Sequence, residues 1–252
     1  MAEGIILAAG RGSRMKEKTE SIPKGMNEIE GQTFLQWELD SFSAAGISNV
    51  HILTGYQKEV IESFHPSTIQ NENWKQTNMV STLFCADELL INDTCLISYS
   101  DILYHPKHLK ALDQATADIA ITYDTKWRTL WELRFENPLE DAETFEQNNG
   151  LLKSIGKKAD SMDVIEGQYM GLLRITPNGW EEIQGALTGW SPEKIAKLDM
   201  TTLLNHLLES GLEIQCVPIA GQWCEIDDGN DLSKYEQELK QNPNWEHDWR
   251  WK

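Results

Sequence analysis

The residues best suited to chemistry stand near the start of the chain: Gly10, Arg11, Gly12, Ser13 and Arg14, then Lys24 behind Pro23. Gly10 and Gly12 can take positive φ without a Cβ clash. A loop through them can turn successive backbone N–H groups toward one anion. The guanidinium forks of Arg11 and Arg14 match phosphate oxygens, and Lys24 adds a compact positive charge after a proline that restrains the backbone. Glycine loop, arginines and lysine together describe a triphosphate site. Leu7, Ala8 and Ala9 lead into it from an apolar run, residues 5–7, that reads as a buried parallel strand. Two better-known glycine loops are excluded. No G-x-x-x-x-G-K-[ST] run occurs, and Met15 stands where a dinucleotide fingerprint needs its third glycine.

Carboxylates complete the set. Asp101 comes just after the apolar run 95–97, and Asp227 just after 224–226. Ligands of open α/β sheets bind at the carboxyl ends of strands, so the two can meet there. With phosphate oxygens and water they make a reasonable Mg²⁺ site. Asp228 is an adjacent alternative, and a helix N-cap is the competing role for it and for Asp231. Farther along, residues 126–135 and 166–171 mix aromatics with charge. Trp131, Tyr169 and a carboxylate such as Glu166 or Glu132 suit an ammonium group through cation–π contact. Arg134 or Arg128 suits a phosphate or carboxylate instead. Trp127 and Trp131 compete for the ring position.

The opening Leu7-Ala8-Ala9-Gly10-Arg11-Gly12-Ser13-Arg14, followed by Pro23-Lys24, resembles the L-A-A-G-x-G-[ST]-R…P-K pattern of the nucleotidyltransferases that activate sugar phosphates and related head groups. The resemblance implies a metal bound by one Asp after a central strand and one late in the chain, matched here by Tyr99-Ser100-Asp101 and Glu225-Ile226-Asp227. It places Lys24 between the α-phosphate and the incoming group, and Arg14 with the Gly10–Ser13 amides on the leaving pyrophosphate. Ser100 falls on the nucleotide side. Residues 71–83, with Trp74, Asn78 and Ser81, resemble the run that lies beside the base in cytidylyltransferases acting on phosphocholine and aminoalkyl phosphonates. Asn78 or Ser81 at a helix start would then meet a cytosine edge, with plain capping by Asn78 as the alternative. The Q-P-x-G-type run of sugar-specific members is absent. The implied reaction joins CMP from CTP to phosphocholine or 2-aminoethylphosphonate, with Mg²⁺ as cofactor. A phosphorylated amino acid or amide such as phosphoglutamine, or a sugar 1-phosphate, is the alternative acceptor. A nucleotide-sensing regulator of the same fold is the non-enzyme alternative.

These residues need strands and helices to hold them. Apolar runs at 50–53, 68–71, 95–97 and 119–123 alternate with helical patterns at 34–45, 58–64, 79–90 and 106–115. The alternation predicts an α/β domain with a mixed, mostly parallel sheet flanked by helices. Gly46 is a C-cap candidate. In the second half, 131–135, 151–155, 169–175, 214–217 and 224–226 read as strands. Residues 180–187, 200–208 and 231–239 read as helices, and 137–150 as an exposed loop with one helical turn. One domain over 1–252 is expected, with a nucleotide half (1–115), an acceptor half (116–240) and a tail (241–252). The tail carries three of the ten tryptophans, expected to pack on the domain or a neighbouring subunit.

The chain has 252 residues and a net charge of −18, which argues against nucleic acid as a partner. Cys85, Cys95, Cys216 and Cys224 form no C-x-x-C pair and read as buried free thiols. No run suits a membrane span or a signal peptide, so the cytoplasm is the expected compartment, with a homodimer left open.

Overall fold

Ile5, Ile6 and Leu7 alternate across the first strand, Glu3–Ala8: Ile6 faces one apolar core, and Ile5 and Leu7 face another on the opposite side of the sheet. A strand buried on both faces belongs in the middle of a sheet covered by helices. The computed structural model, which describes residues 2–251 and only the backbone of Glu17, places it there. The nine-stranded sheet runs Thr68–Gln70, Val50–Thr54, Glu3–Ala8, Cys95–Tyr99, Gln168–Ile175, Ile119–Asp124, Gln215–Ile219, Leu151–Lys158, Glu143–Asn148. The first four are mutually parallel. Gln168–Ile175 is antiparallel to both neighbours, and so is Leu151–Lys158. The predicted mixed α/β sheet flanked by helices is therefore the observed one.

Helix Phe34–Ala45 shows how local sequence sets such elements. Thr33 caps it by accepting from Gln36 N, Gly46 closes it at φ 91°, and Phe34, Leu35, Trp37 and Phe42 are buried on its inner face. The tail packs onto this helix: the Trp249 and Trp251 rings lie 6.1 and 5.9 Å from Trp37, and Arg250 pairs with Glu30 at 2.8 Å.

Several elements differ from expectation. Residues 131–135 are not a strand; they end the helix Trp127–Arg134, whose buried Trp127, Leu130, Trp131 and Arg134 follow the i, i+3, i+4, i+7 spacing of one helix face. Read from Trp131 alone, the same residues alternate. The helix expected over 79–90 is two, Met79–Phe84 and Asp87–Asn92, because the chain bends at Cys85 and Ala86. Residues 137–150 do hold a helical turn, Pro138–Glu140, but then form the edge strand Glu143–Asn148, whose only buried residue is Phe145. Strand Ile102–Tyr104 and helix Pro192–Ala196 have no counterpart in the sequence reading. Cys85 is exposed; the other three thiols are buried. Among the described residues no helix is long and apolar enough to cross a membrane.

Candidate active site

Asp101 and Asp227 are brought together by a two-stranded ribbon at the mouth of the sheet. Ile102–Tyr104 pairs antiparallel with Trp223–Glu225, setting Glu225 opposite Ile102. Ile226 N then donates to Asp101 O at 2.9 Å. From the other end of the chain comes Lys24, opening a short turn, Lys24–Met26, with Pro23 extended before it. Its Nζ donates to Asp101 Oδ2 at 2.7 Å and to Asp227 Oδ1 at 3.2 Å. Arg14 reaches Asp227 Oδ1 at 2.7 Å. Lys24 is buried, which lowers its pKa, but Asp101 and Asp227 more than offset that and hold it above the ordinary value. Gly12 takes φ 68°, and a Cβ there would stand 2.7 Å from Lys24 Cβ, so only glycine lets the loop lie on the lysine stem. Gly10 keeps φ out of the left-handed region, contrary to expectation.

Oxygen atoms of Asp101, Glu225 and Asp227 lie within 4.8 Å of one another. Asp101 Oδ1 is buried without a hydrogen-bond partner. Hard oxygen donors around an orphaned carboxylate oxygen fit a divalent cation of the Mg²⁺ type. Burial, with Asp227 and Asp101 nearby, pushes the Glu225 carboxyl up to about 7 against the pull of Arg134. Burial also raises Asp227, but Lys24, Arg134 and Arg14 outweigh it, and its pKa falls below the usual carboxylate value. Glu225 is a ligand candidate that the sequence reading does not single out. The available signal is its i, i+2 spacing from Asp227, which puts both on one face of an extended chain. Asp228 takes the alternative role of helix cap, accepting from Asn230 N and Asp231 N.

Two cavities of about 220 Å³ each meet at Arg14, Met79 and Tyr99. The first is lined by Leu7, Ala9, Gly10, Gly12, Asn78 and Ser100, all expected nucleotide residues, together with Lys24 and Asp101. Ala8 is buried behind it, Arg11 lies over the Tyr56 ring, and Ser13 is exposed. Ser81 is not on the cavity: its hydroxyl donates to Ile195 O at 3.3 Å, because that side of helix Met79–Phe84 faces a neighbouring helix. Thr77 and Thr82 line the wall instead, both accepting from Asn71 Nδ2. Asn78 also caps its helix.

The second cavity contains Trp131 and Tyr169, as expected, beside Glu225 and Asp227. Glu166 lies elsewhere, exposed, accepting from Gln147 N. The acids on this wall are Asp141, Glu143 and Asp199. Burial raises the pKa of Asp141 and of Glu143, and neighbouring carboxylates push both in the same direction. Asp141 accepts from Trp131 Nε1 at 3.0 Å. Arg134 is not available to an acceptor: its side chain is fully buried and bound to Glu225, Asp227 and Asp231. Arg128 is paired outside with Asp163, and Glu132 is exposed.

Residues 4–161 match the MobA-like NTP transferase domain. The chain is 34% identical over 244 residues to the CTP:phosphoglutamine cytidylyltransferase of Campylobacter jejuni, covering 90% of this chain and 96% of that protein. It is 34% identical over 103 residues to the choline-phosphate cytidylyltransferase of Haemophilus influenzae, 39% of this chain and 43% of that one. The structure of CTP:phosphocholine cytidylyltransferase from Streptococcus pneumoniae superposes with a TM-score of 0.74 at 17% identity, over 94% of this chain and 99% of that one. Lys24, Asp101 and Asp227 converge within the fold that these proteins share, and the chain belongs to the MobA-like NTP transferase family as a nucleotidyltransferase homologous to the cytidylyltransferases.

Proposed function

We propose that the chain transfers CMP from CTP to an oxygen of a small phosphorylated or phosphonate acceptor carrying an ammonium group, releasing pyrophosphate. The observation that carries this reading is Lys24 held between Asp101, which lines the first cavity, and Asp227, which lines the second. The acceptor oxygen is anionic at neutral pH and attacks the α-phosphorus in line, so no strong general base is required. Catalysis is then positioning and charge neutralisation. Lys24 neutralises the α-phosphate and the incoming anion together. Arg14 and the amides of residues 10–13 hold the leaving pyrophosphate. Asp101 and Asp227, with Glu225, would hold a divalent cation, which would supply further neutralisation of the triphosphate.

The acid wall of Asp141, Glu143 and Asp199 beside Trp131 and Tyr169 suits an ammonium better than a polyol, since a bound cation stabilises the charge on carboxyls that burial leaves poorly solvated. Phosphocholine and 2-aminoethylphosphonate meet this requirement. A phosphorylated amino acid also carries an ammonium, and the near full-length relative that acts on phosphoglutamine favours that second acceptor. Pyrophosphate release from CTP with phosphocholine, 2-aminoethylphosphonate, phosphoglutamine and glucose 1-phosphate tests the assignment. An ammonium-bearing acceptor is expected to give the highest kcat/KM; equal or better use of glucose 1-phosphate overturns the reading. Turnover is expected to vanish in EDTA and return with Mg²⁺, and product formation by metal-free enzyme would remove the cation from the scheme.

A further inference from the structure

The buried Arg134 lies behind the reacting groups, and its contacts divide the oxygens of the carboxylates in a definite way. Its NH1 donates to Glu225 Oε2 at 2.8 Å and its NH2 to Asp227 Oδ2 at 2.9 Å. Asp227 Oδ1 is left to face Lys24 and Arg14. We propose that Arg134 is the positioning residue of the cation site, clamping one oxygen each of Glu225 and Asp227 so that the remaining donors are held toward Asp101. This rests on the reading of Asp101, Glu225 and Asp227 as a divalent-cation site.

The clamp is itself rigid. The Arg134 guanidinium carbon lies 5.3 Å from the Trp131 ring centre and 4.9 Å from that of Phe135. Asp231 braces it from the helix Gly229–Gln241, accepting from Nε at 3.3 Å and NH2 at 3.2 Å. Asp231 Oδ2 also accepts from Asp227 N at 2.9 Å, so one carboxylate fixes both the arginine and the backbone of the ligand it orients. A planar fork with fixed donor directions can do this; a lysine ammonium cannot. Outer partners of this kind orient ligating carboxylates and tune their affinity for metal. Charge leaves room for the cation: among the described residues, the four acids Asp101, Glu225, Asp227 and Asp231 pair with Arg14, Lys24 and Arg134, and Arg14 is largely exposed.

The test uses Arg134→Lys, which keeps the charge and loses the fork, and Asp231→Asn, which keeps the size and loosens the brace. Mn²⁺ binding is read by electron paramagnetic resonance with CTP present and no acceptor, corrected for CTP alone, on variants whose fold is checked by circular dichroism. Both variants are expected to bind Mn²⁺ about ten- to a hundredfold more weakly. The Mg²⁺ concentration for half-maximal turnover is expected to rise in step, with much of the turnover of Asp231→Asn recovered at saturating metal. A purely structural role would lower turnover at every metal concentration and leave that midpoint in place. Should Arg134→Lys not fold, Asp231→Asn decides. Wild-type Mn²⁺ affinity in folded variants overturns the proposal alone, whereas a wild-type protein that binds no Mn²⁺ removes the cation site and this proposal with it.

Discussion

At the scale of a single residue, the proposed chemistry centres on Lys24. It is 6% exposed, yet two carboxylates hold it charged, so it offers a desolvated positive charge where water screens little. Lys24→Ala is expected to lower kcat by about 10²- to 10³-fold, in the range for loss of one preorganised donor to transition-state charge. The fold should persist, because Arg14 and Arg134 still face Asp227. Near wild-type turnover in a folded variant would exclude the proposed role. Residue type and order make Lys24, Arg14, Asp101 and Asp227 legible in the sequence. Ser81, Glu166 and Arg134 depart from expectation for a shared reason: a side chain's direction depends on which face of its element meets a neighbour. Ser81 faces a helix, Glu166 faces solvent, and Arg134 faces carboxylates from a segment about 90 residues later.

Elements behave differently from single residues. Those with strong local signals, such as Phe34–Ala45 with its Thr33 cap and Gly46 stop, are readable from sequence. Thr33→Ala should cost about 1 kcal/mol, seen as a lower urea midpoint at constant slope, with turnover unchanged because the cap lies away from both cavities. A loss of activity without loss of stability would contradict that separation. Of the three-residue ribbon partners, the one expected over 224–226 is observed as Trp223–Glu225, whereas Ile102–Tyr104 carries no comparable local signal. It is too short to show a period, and it is a strand because Trp223–Glu225 pairs with it. That ribbon nevertheless sets the spacing of the Asp101, Glu225 and Asp227 cluster.

The whole molecule adds two groups that no local reading would connect. The tail closes over the Trp37 helix, and Trp249 is fully buried there. Trp249→Ala is expected to cost about 3–5 kcal/mol, measured by denaturant unfolding; a cost under about 1 kcal/mol would mean that the tail is dispensable. His108 is buried with Nε2 3.0 Å from Gly221 O, and burial lowers its pKa to about 3. The unfolded chain therefore takes up a proton below about pH 6.5 that the native state refuses. Stability should fall as pH drops from about 6.5 toward 3, by about 1.4 kcal/mol per pH unit from this group. His247, also lowered by burial, acts in the same direction. His108→Gln keeps an N–H donor and should reduce the slope between about pH 6 and 5 by about that amount. An unchanged slope in urea unfolding would assign the acid sensitivity to other groups.

Sequence alone determined the opening strand and the α/β class and singled out the glycine loop, Lys24, Asp101 and Asp227, because these depend on residue type, short spacing and periodicity along the chain. Tertiary structure alone decided that Glu225 joins Asp101 and Asp227, that Asp141 and Glu143 rather than Glu166 form the acid wall, and that Arg134 braces carboxylates instead of meeting the acceptor. Those outcomes are set by contacts between segments far apart in the chain, where packing and pairing fix which way a side chain points, and no local pattern encodes that direction.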